Sequence, residues 1–131
     1  MERKEIIKNI KSRNDVIVLT DLEWDDTSMF VIDKEMLVMV SNSDVAKVHI
    51  WHAWQDKTGE WQSGFTVGSW NFTEFTDTLI DEILPKVKDG YVRCEHCGKW
   101  IHKSEGTTSG FTALVCFDCK KYAKPIDTWG D

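Results

Sequence analysis

Two pairs of cysteines dominate the C-terminal third of the chain. Cys94 and Cys97 form one Cys-x-x-Cys pair, and eighteen residues separate it from a second pair, Cys116 and Cys119. Each pair brings two sulfurs onto one tight turn, and two such turns supply the four soft ligands that zinc binds in a tetrahedron. The spacing therefore predicts one structural zinc ion held by all four thiolates.

Other uses of these cysteines remain open. A redox-active dithiol is the rival chemistry, but it needs a single pair at the start of a helix rather than two matched pairs. His96 and His102 are further candidate ligands that would each replace a cysteine. With four protein ligands the metal keeps no open position, so we expect it to hold a small module together rather than to catalyse a reaction.

Aromatic and basic residues at alternate positions mark a second candidate site. Strand alternation puts Lys47, His49 and Trp51 on one side of a β-segment, and His52 and Trp54 follow near its end. The other side of this segment is apolar and is expected to face the core. An outward strip of indole, imidazole and ammonium groups suits stacking on bases and contact with a flexible phosphate backbone.

The returning strand adds two more rings to this hairpin. Trp61 and Phe65 are predicted to share a side with Ser63. Aromatic residues on strands are also common in cores, so the alternative is that these rings are buried or form a dimer contact.

Hydrophobic periodicity predicts the elements that position these residues. A short amphipathic helix is expected at 2–12, strands at 15–20, 29–32, 35–40, 45–54 and 61–70, and an amphipathic helix at 72–88. Asn71 and Glu74 have the form of a capping box for the last helix, and Pro85 is expected to kink it or stop it early. Gly59 is expected to adopt a positive φ in the hairpin turn.

These elements predict an α+β fold, in which an antiparallel sheet of four to five strands is followed by an amphipathic helix and a C-terminal zinc ribbon. We expect a sheet and helix domain at 1–90, the ribbon at 91–124 and a tail at 125–131. The acidic stretch 21–26 is expected to be a solvated turn rather than a cation site.

The net charge restricts the kinds of partner that the protein can bind. Residues 1–90 carry 10 Lys and Arg against 17 Asp and Glu, net −7, and residues 91–131 carry 6 against 5, net +1. Bulk attraction to duplex DNA is therefore not indicated. The first residues form no apolar leader, and no apolar stretch is long enough to span a bilayer, so we expect a soluble, cytoplasmic protein.

Part of the chain is similar to a known family. Four antiparallel strands followed by one helix, the segment IWHAWQDKTGE at 50–60, then Gly64 and Ser-Trp-Asn at 69–71, resemble the transcriptional coactivator family called positive cofactor four. Its members have a Whirly-like fold and show a Trp-x-Asp-x-x-Gly-Glu turn, a later glycine and Ser-x-Asn before the helix. The resemblance covers roughly 30–87 and includes Lys34.

The resemblance implies a dimer joined through the helices, with curved β-ridges that bind single-stranded or melted DNA. Trp54 matches the base-stacking tryptophan of the family, and Lys34 matches a lysine that contacts the backbone. The chain departs from the family at several positions where members carry Arg or Lys, namely Trp51, Gln62, Phe65 and Thr66. Most of the electrostatic part of the family's site is thus missing.

We therefore expect a non-enzymatic protein that binds single-stranded DNA or RNA in transcription or replication, as a homodimer through 72–88. The predicted contact residues are Lys34, Lys47, His49, Trp51, His52, Trp54, Lys57, Trp61 and Phe65. The alternative is an acidic interaction module that binds or inhibits a transcription, replication or defence enzyme through its tryptophan-rich face. No nucleophile stands beside a base at a recognisable spacing.

Overall fold

A five-stranded antiparallel sheet forms the body of the protein in the computed structural model, which describes residues 1–20, 27–110 and 112–124. Its strands are β1 (Val16–Thr20), β2 (Ser28–Ile32), β3 (Met36–Val40), β4 (Lys47–Gln55) and β5 (Trp61–Asn71), and each pairs with its neighbour in the sequence. β1 and β5 are the edge strands. The predicted antiparallel sheet is confirmed, whereas the acidic stretch 21–26 and the tail 125–131 lie outside the described residues.

One face of the sheet is covered by two helices, α1 (Arg3–Lys11) and α2 (Leu79–Lys88). α1 matches its prediction. The second helix begins later than the sequence predicts, because Asn71 and Glu74 close only a short 3₁₀ turn, with the Asn71 N–H donating to Glu74 Oε1 at 2.9 Å. Phe75 then takes an extended conformation that buries its ring, and the chain returns to a helical path at Leu79.

Pro85 does not stop α2, which continues to Lys88. A proline inside a helix removes one hydrogen bond to the carbonyl four residues earlier. Pro85 and Asp81 are both exposed, so the carbonyl that loses its donor can be hydrated. Of the two effects expected of Pro85, the early stop was therefore wrong, and the kink stays a prediction.

The C-terminal part consists of two small hairpins. β6 (Tyr91–Arg93) pairs with β7 (Trp100–His102), β8 (Gly106–Ser109) pairs with β9 (Ala113–Cys116), and a 3₁₀ turn follows at Phe117–Tyr122. The predicted boundary near residue 90 falls between α2 and β6. No helix among the described residues is both long and apolar enough to cross a membrane.

A single cluster of buried side chains joins all these parts. It contains Ile6 of α1, Ile50 of β4, Ile83 of α2, and Val92 and Leu114 of the C-terminal hairpins. The apolar side of α2, on which the predicted dimer rests, is taken up largely by this internal packing. The C-terminal hairpins therefore share one core with the sheet, so a disturbance in either part is felt by the other.

Candidate metal centre and nucleic-acid interface

The four cysteines meet at one point between the two small hairpins. The sulfurs of Cys94, Cys97, Cys116 and Cys119 all lie within 4.8 Å of one another, and the Sγ atoms of Cys97 and Cys116 are 3.8 Å apart. A tetrahedral zinc site with Zn–S bonds of about 2.3 Å has S···S edges of about 3.8 Å. This arrangement could hold a metal ion, and both its spacing and its soft donors fit the predicted zinc.

Backbone geometry already favours a thiolate at the centre of the cluster. Burial opposes ionisation of Cys94, but the N–H groups of Cys97 and Cys116 both donate to its sulfur at 3.4 Å and lower its pKa to about 6. Burial and the neighbouring thiols raise the pKa of Cys119. A cation that binds four thiolates must displace the protons that the thiols carry.

Both candidate histidine ligands make other contacts. The His96 ring stacks on Tyr122, with ring centroids 3.8 Å apart and planes 12° apart. His102 Nδ1 lies 2.6 Å from Ser104 Oγ. Among the described residues, the metal-binding cluster is made of cysteines alone.

The β4–β5 hairpin presents part of the predicted aromatic strip on the outer side of the sheet, away from the helices. Val48 and Ile50 are fully buried on the inner side, as predicted. His49 and Trp51 lie on the outer side with ring centroids 6.0 Å apart, and His49 Nδ1 is 2.7 Å from Ser69 Oγ. Burial, followed by the nearby Lys47 ammonium group, lowers the pKa of His49, so its imidazole is neutral at pH 7.

Two irregularities in β5 change which rings share a side. The first lies between the pairs Ile50–Gly68 and Trp51–Thr66, and the second between Trp51–Thr66 and Ala53–Ser63; each accommodates one extra residue of β5. The second bulge reverses the alternation between Thr66 and Trp61. Phe65 consequently packs against the buried cluster, whereas Trp61 and Ser63 keep the outer side. The prediction that Phe65 shares a side with Trp61 was wrong for this reason.

The remaining predicted residues lie at the two ends of the hairpin. Trp54, near the tip, is 52% exposed, and its Nε1–H donates to the Ser63 carbonyl at 3.3 Å. Lys57 lies in the tip turn, where Gly59 has a φ of +88° as predicted, and Lys34 lies in the β2–β3 turn at the same end of the sheet. Lys47 begins β4 at the far end. Lys34 and Lys57 thus lie at the tip end of the sheet, in different turns, whereas Lys47 lies at the other end of the hairpin.

His52 joins the hairpin to the C-terminal module. Its side chain is partly buried on the inner side, and Nε2 lies 3.3 Å from the carbonyl oxygen of Tyr91. Burial is the main reason that the pKa of His52 is lowered, and the Lys103 ammonium group adds to it, against the opposing effect of the Tyr91 carbonyl. This placement suits a structural contact better than stacking on a base.

We predict that His52 makes stability depend on pH. Because its pKa is lower in the folded state, its contribution is complete above the unfolded value of about 6.5 and is lost as the pH falls through the folded value. His52→Asn keeps a hydrogen-bond donor but cannot be protonated in this range. In urea unfolding between pH 7.5 and pH 5, the wild type should lose more stability than the variant. Parallel curves for the two proteins, which carry the same four cysteines, would contradict this assignment.

The structure also shows a feature that sequence reasoning missed. A cleft of about 660 Å³ lies between β5 and the first cysteine turn, and Arg93, Glu95, His96 and Lys124 contribute to its walls. Its lining comes from separate segments on β5, β6 and the β8–β9 connection. Such segments carry no common spacing in the sequence, so only the fold reveals that they meet.

Comparisons with protein families, curated proteins and solved structures found no match. No family model matches the chain, and no curated protein or solved structure is significantly similar to it. The resemblance to the positive cofactor four family therefore depends only on the order of elements and the motif residues quoted above.

Proposed function

We propose that this protein binds single-stranded nucleic acid, without catalysing a reaction, through the outer side and the tip of the β4–β5 hairpin. The observation that carries the proposal is the row of indole rings on this hairpin, which remain partly or largely accessible and are accompanied by lysines that form no ion pair within the described part of the chain. Such binding would serve transcription or replication, where single-stranded nucleic acid is exposed.

The spacing of the rings suits stacking. Trp51 and Trp61 lie on the outer side, and the small pair Ala53 and Ser63 separates them along the two strands. A planar base can enter the space above a small pair and stack against an indole face. Trp54 adds a third ring on the reverse side of the tip, so a strand that bends around the tip can contact all three.

The few lysines on and near the hairpin predict a weak electrostatic contribution to the affinity for nucleic acid. Lys34, Lys47 and Lys57 are exposed and can each neutralise a phosphate. Asp56 is occupied by the turn itself, since it accepts hydrogen bonds from Thr58 and Gln62 that lower its pKa. Stacking should therefore supply most of the affinity, at about 1 to 3 kcal/mol per base.

The cysteine cluster fits zinc as a structural metal. Four thiolates around one zinc ion would fill its tetrahedral coordination and leave no open position for a substrate. The ion would instead hold the two small hairpins together against the sheet. A reducing intracellular compartment suits this site, because it keeps the thiols free of disulfides.

Fluorescence titration with oligo-dT tests the proposal. Tryptophan emission should be quenched by the single strand, with an apparent affinity that falls between about 50 and about 200 mM salt. Duplex DNA of the same length should quench weakly or not at all. Equal quenching by both, or none by either at micromolar concentration, would contradict it.

A second candidate function, protein docking, is favoured by the edge strand β1. Ile17, Val18 and Leu19 are consecutive apolar residues that are 37%, 45% and 39% exposed. An exposed apolar edge strand can accept another strand by main-chain hydrogen bonding. The net charge of −7 on residues 1–90 also suits a basic protein partner better than a phosphate backbone.

A further inference from the structure

The cleft between β5 and the first cysteine turn, which Cys94 and Cys97 also line, contains an arginine that is held in place but forms no ion pair with a described carboxylate. Nε of Arg93 donates to the carbonyl oxygen of Gly98 at 3.0 Å, and its guanidinium lies over the Trp70 ring, 5.3 Å from the centroid. These two contacts fix the side chain before any ligand arrives. A fixed guanidinium loses little conformational entropy on binding.

Two glycines make room for this arrangement. Gly98 has a φ of +76°, and a Cβ atom there would lie 2.7 Å from an Nη atom of Arg93. A Cβ on Gly68 would lie 3.3 Å from Arg93 Cδ and 3.1 Å from the Trp70 ring. A Cβ atom at Gly98 would collide with the guanidinium, and one at Gly68 would crowd the aliphatic part of Arg93 and the Trp70 ring, so glycine at both positions leaves room for Arg93.

The terminal nitrogens of Arg93 remain available. Across the described ranges, Arg93 forms neither an ion pair nor a hydrogen bond to a cysteine sulfur. Glu95, the carboxylate that lines the cleft, is already occupied, since it accepts hydrogen bonds from Ser109 Oγ at 2.6 Å and from Lys124 Nζ at 3.3 Å. Two free NH₂ groups on a planar, permanent cation are suited to bidentate contact with an oxyanion.

The cleft continues the outer strip of the hairpin. Thr66 and Ser69 line it, and they are the cross-strand neighbours of Trp51 and His49. Thr66 Oγ1 also lies 2.8 Å from Thr112 Oγ1, which ties the edge of the sheet to the β8–β9 connection beside the cleft. Arg93 contacts Trp70 on the inner side of β5, so a chain lying along the rings of β4 would cross the β5 edge through the cleft to reach it.

We propose that Arg93 binds a backbone phosphate of the same single strand that stacks on the hairpin, with the cleft between β5 and the cysteine turn as the phosphate site. This inference rests on the proposed function, and it assigns the C-terminal module a direct role in binding besides its structural one. Arg93 replaces, from a different part of the fold, one of the positive charges that the hairpin lacks.

Salt dependence of binding tests the assignment. Each phosphate contact to a single strand contributes roughly 0.7 to the slope of log K against log salt. Arg93→Met should lower the slope by about 0.7 and weaken oligo-dT binding about tenfold at low salt. Arg93→Lys should keep the slope but lose part of the affinity, because an ammonium group cannot form the bidentate contact. Lys120→Met, which removes a ribbon charge outside the cleft, should leave both unchanged.

The outcomes separate this inference from the function on which it rests. If the wild type binds oligo-dT and Arg93→Met leaves affinity and slope unchanged, the phosphate site is overturned and the hairpin proposal stands. If the wild type does not bind, both are overturned. Metal content is measured for each variant. If Arg93→Met loses metal, Arg93→Lys decides: weaker binding at wild-type metal content supports the site, and unchanged binding overturns it.

Discussion

Cys97→Ser is expected to release the metal and unfold the C-terminal module, with a large loss of stability for the whole chain. Structural zinc supplies roughly 10 kcal/mol or more of apparent binding free energy at neutral pH, whereas a domain of this size is stable by only about 5 to 15 kcal/mol. Cys97 is the exposed member of the cluster, so serine there costs little in packing and the effect reports the lost ligand.

Elemental analysis and chemical unfolding measure this effect. The wild type should contain one zinc per chain, and Cys97→Ser should contain much less and unfold at lower urea concentration. Because Val92, Ile101 and Leu114 belong to the common core, the loss should also reach the inner face of the sheet. His96→Gln is the matched control, since His96 lies within the same turn but stacks on Tyr122. Loss of zinc in this control, or full zinc content in Cys97→Ser, would contradict the four-cysteine site.

The second large effect is expected from the rings at the hairpin tip. Trp54→Ala and Trp61→Ala should each weaken oligo-dT binding by about 5-fold to about 150-fold, which corresponds to about 1 to 3 kcal/mol of stacking. The double variant should approach the product of the two effects if the rings stack on different bases. Trp54 is 52% exposed, so its replacement should change the midpoint of unfolding little.

A control separates stacking from general loss of aromatic surface. Phe117→Ala removes a ring that is 61% exposed on the C-terminal module and does not line the cleft around Arg93. Its affinity for oligo-dT, measured by anisotropy of a labelled strand, should equal that of the wild type. Unchanged binding by the double tip variant, with the fold intact, would remove the hairpin from the binding site.

Local chemistry explains why some features were predictable from sequence. The cysteine cluster follows from two short motifs, because each Cys-x-x-Cys pair fixes its own turn wherever the chain leads. The strands follow from β-branched runs between turn residues, and their predicted limits differ from the observed ones by a residue or two. In the tip turn, Asp56 accepts hydrogen bonds from Thr58 and Glu60, so the turn is determined by its own residues.

The features that were missed depend on contacts between distant segments. The sequence predicts a helix from Phe72 onward, but the chain is not helical at Phe75. An extended Phe75 lets the rings of Phe72 and Phe75 both pack in the core. The bulge that turns the Phe65 side chain to the inner side of the sheet can be recognised only from the pairing of β5 with β4. Arg93 is positioned by contacts with Trp70 and Gly98 beside Gly68, and no local pattern predicts that these residues meet.

Binding at the hairpin is tested most directly by following the indole N–H resonances of the folded, zinc-loaded protein by NMR while oligo-dT is added. Each tryptophan gives its own signal, so the contact surface is read ring by ring. We expect the signals of Trp51, Trp54 and Trp61 to shift with a common affinity. Shifts confined to other tryptophans, or none at saturating oligonucleotide, would contradict binding at the hairpin.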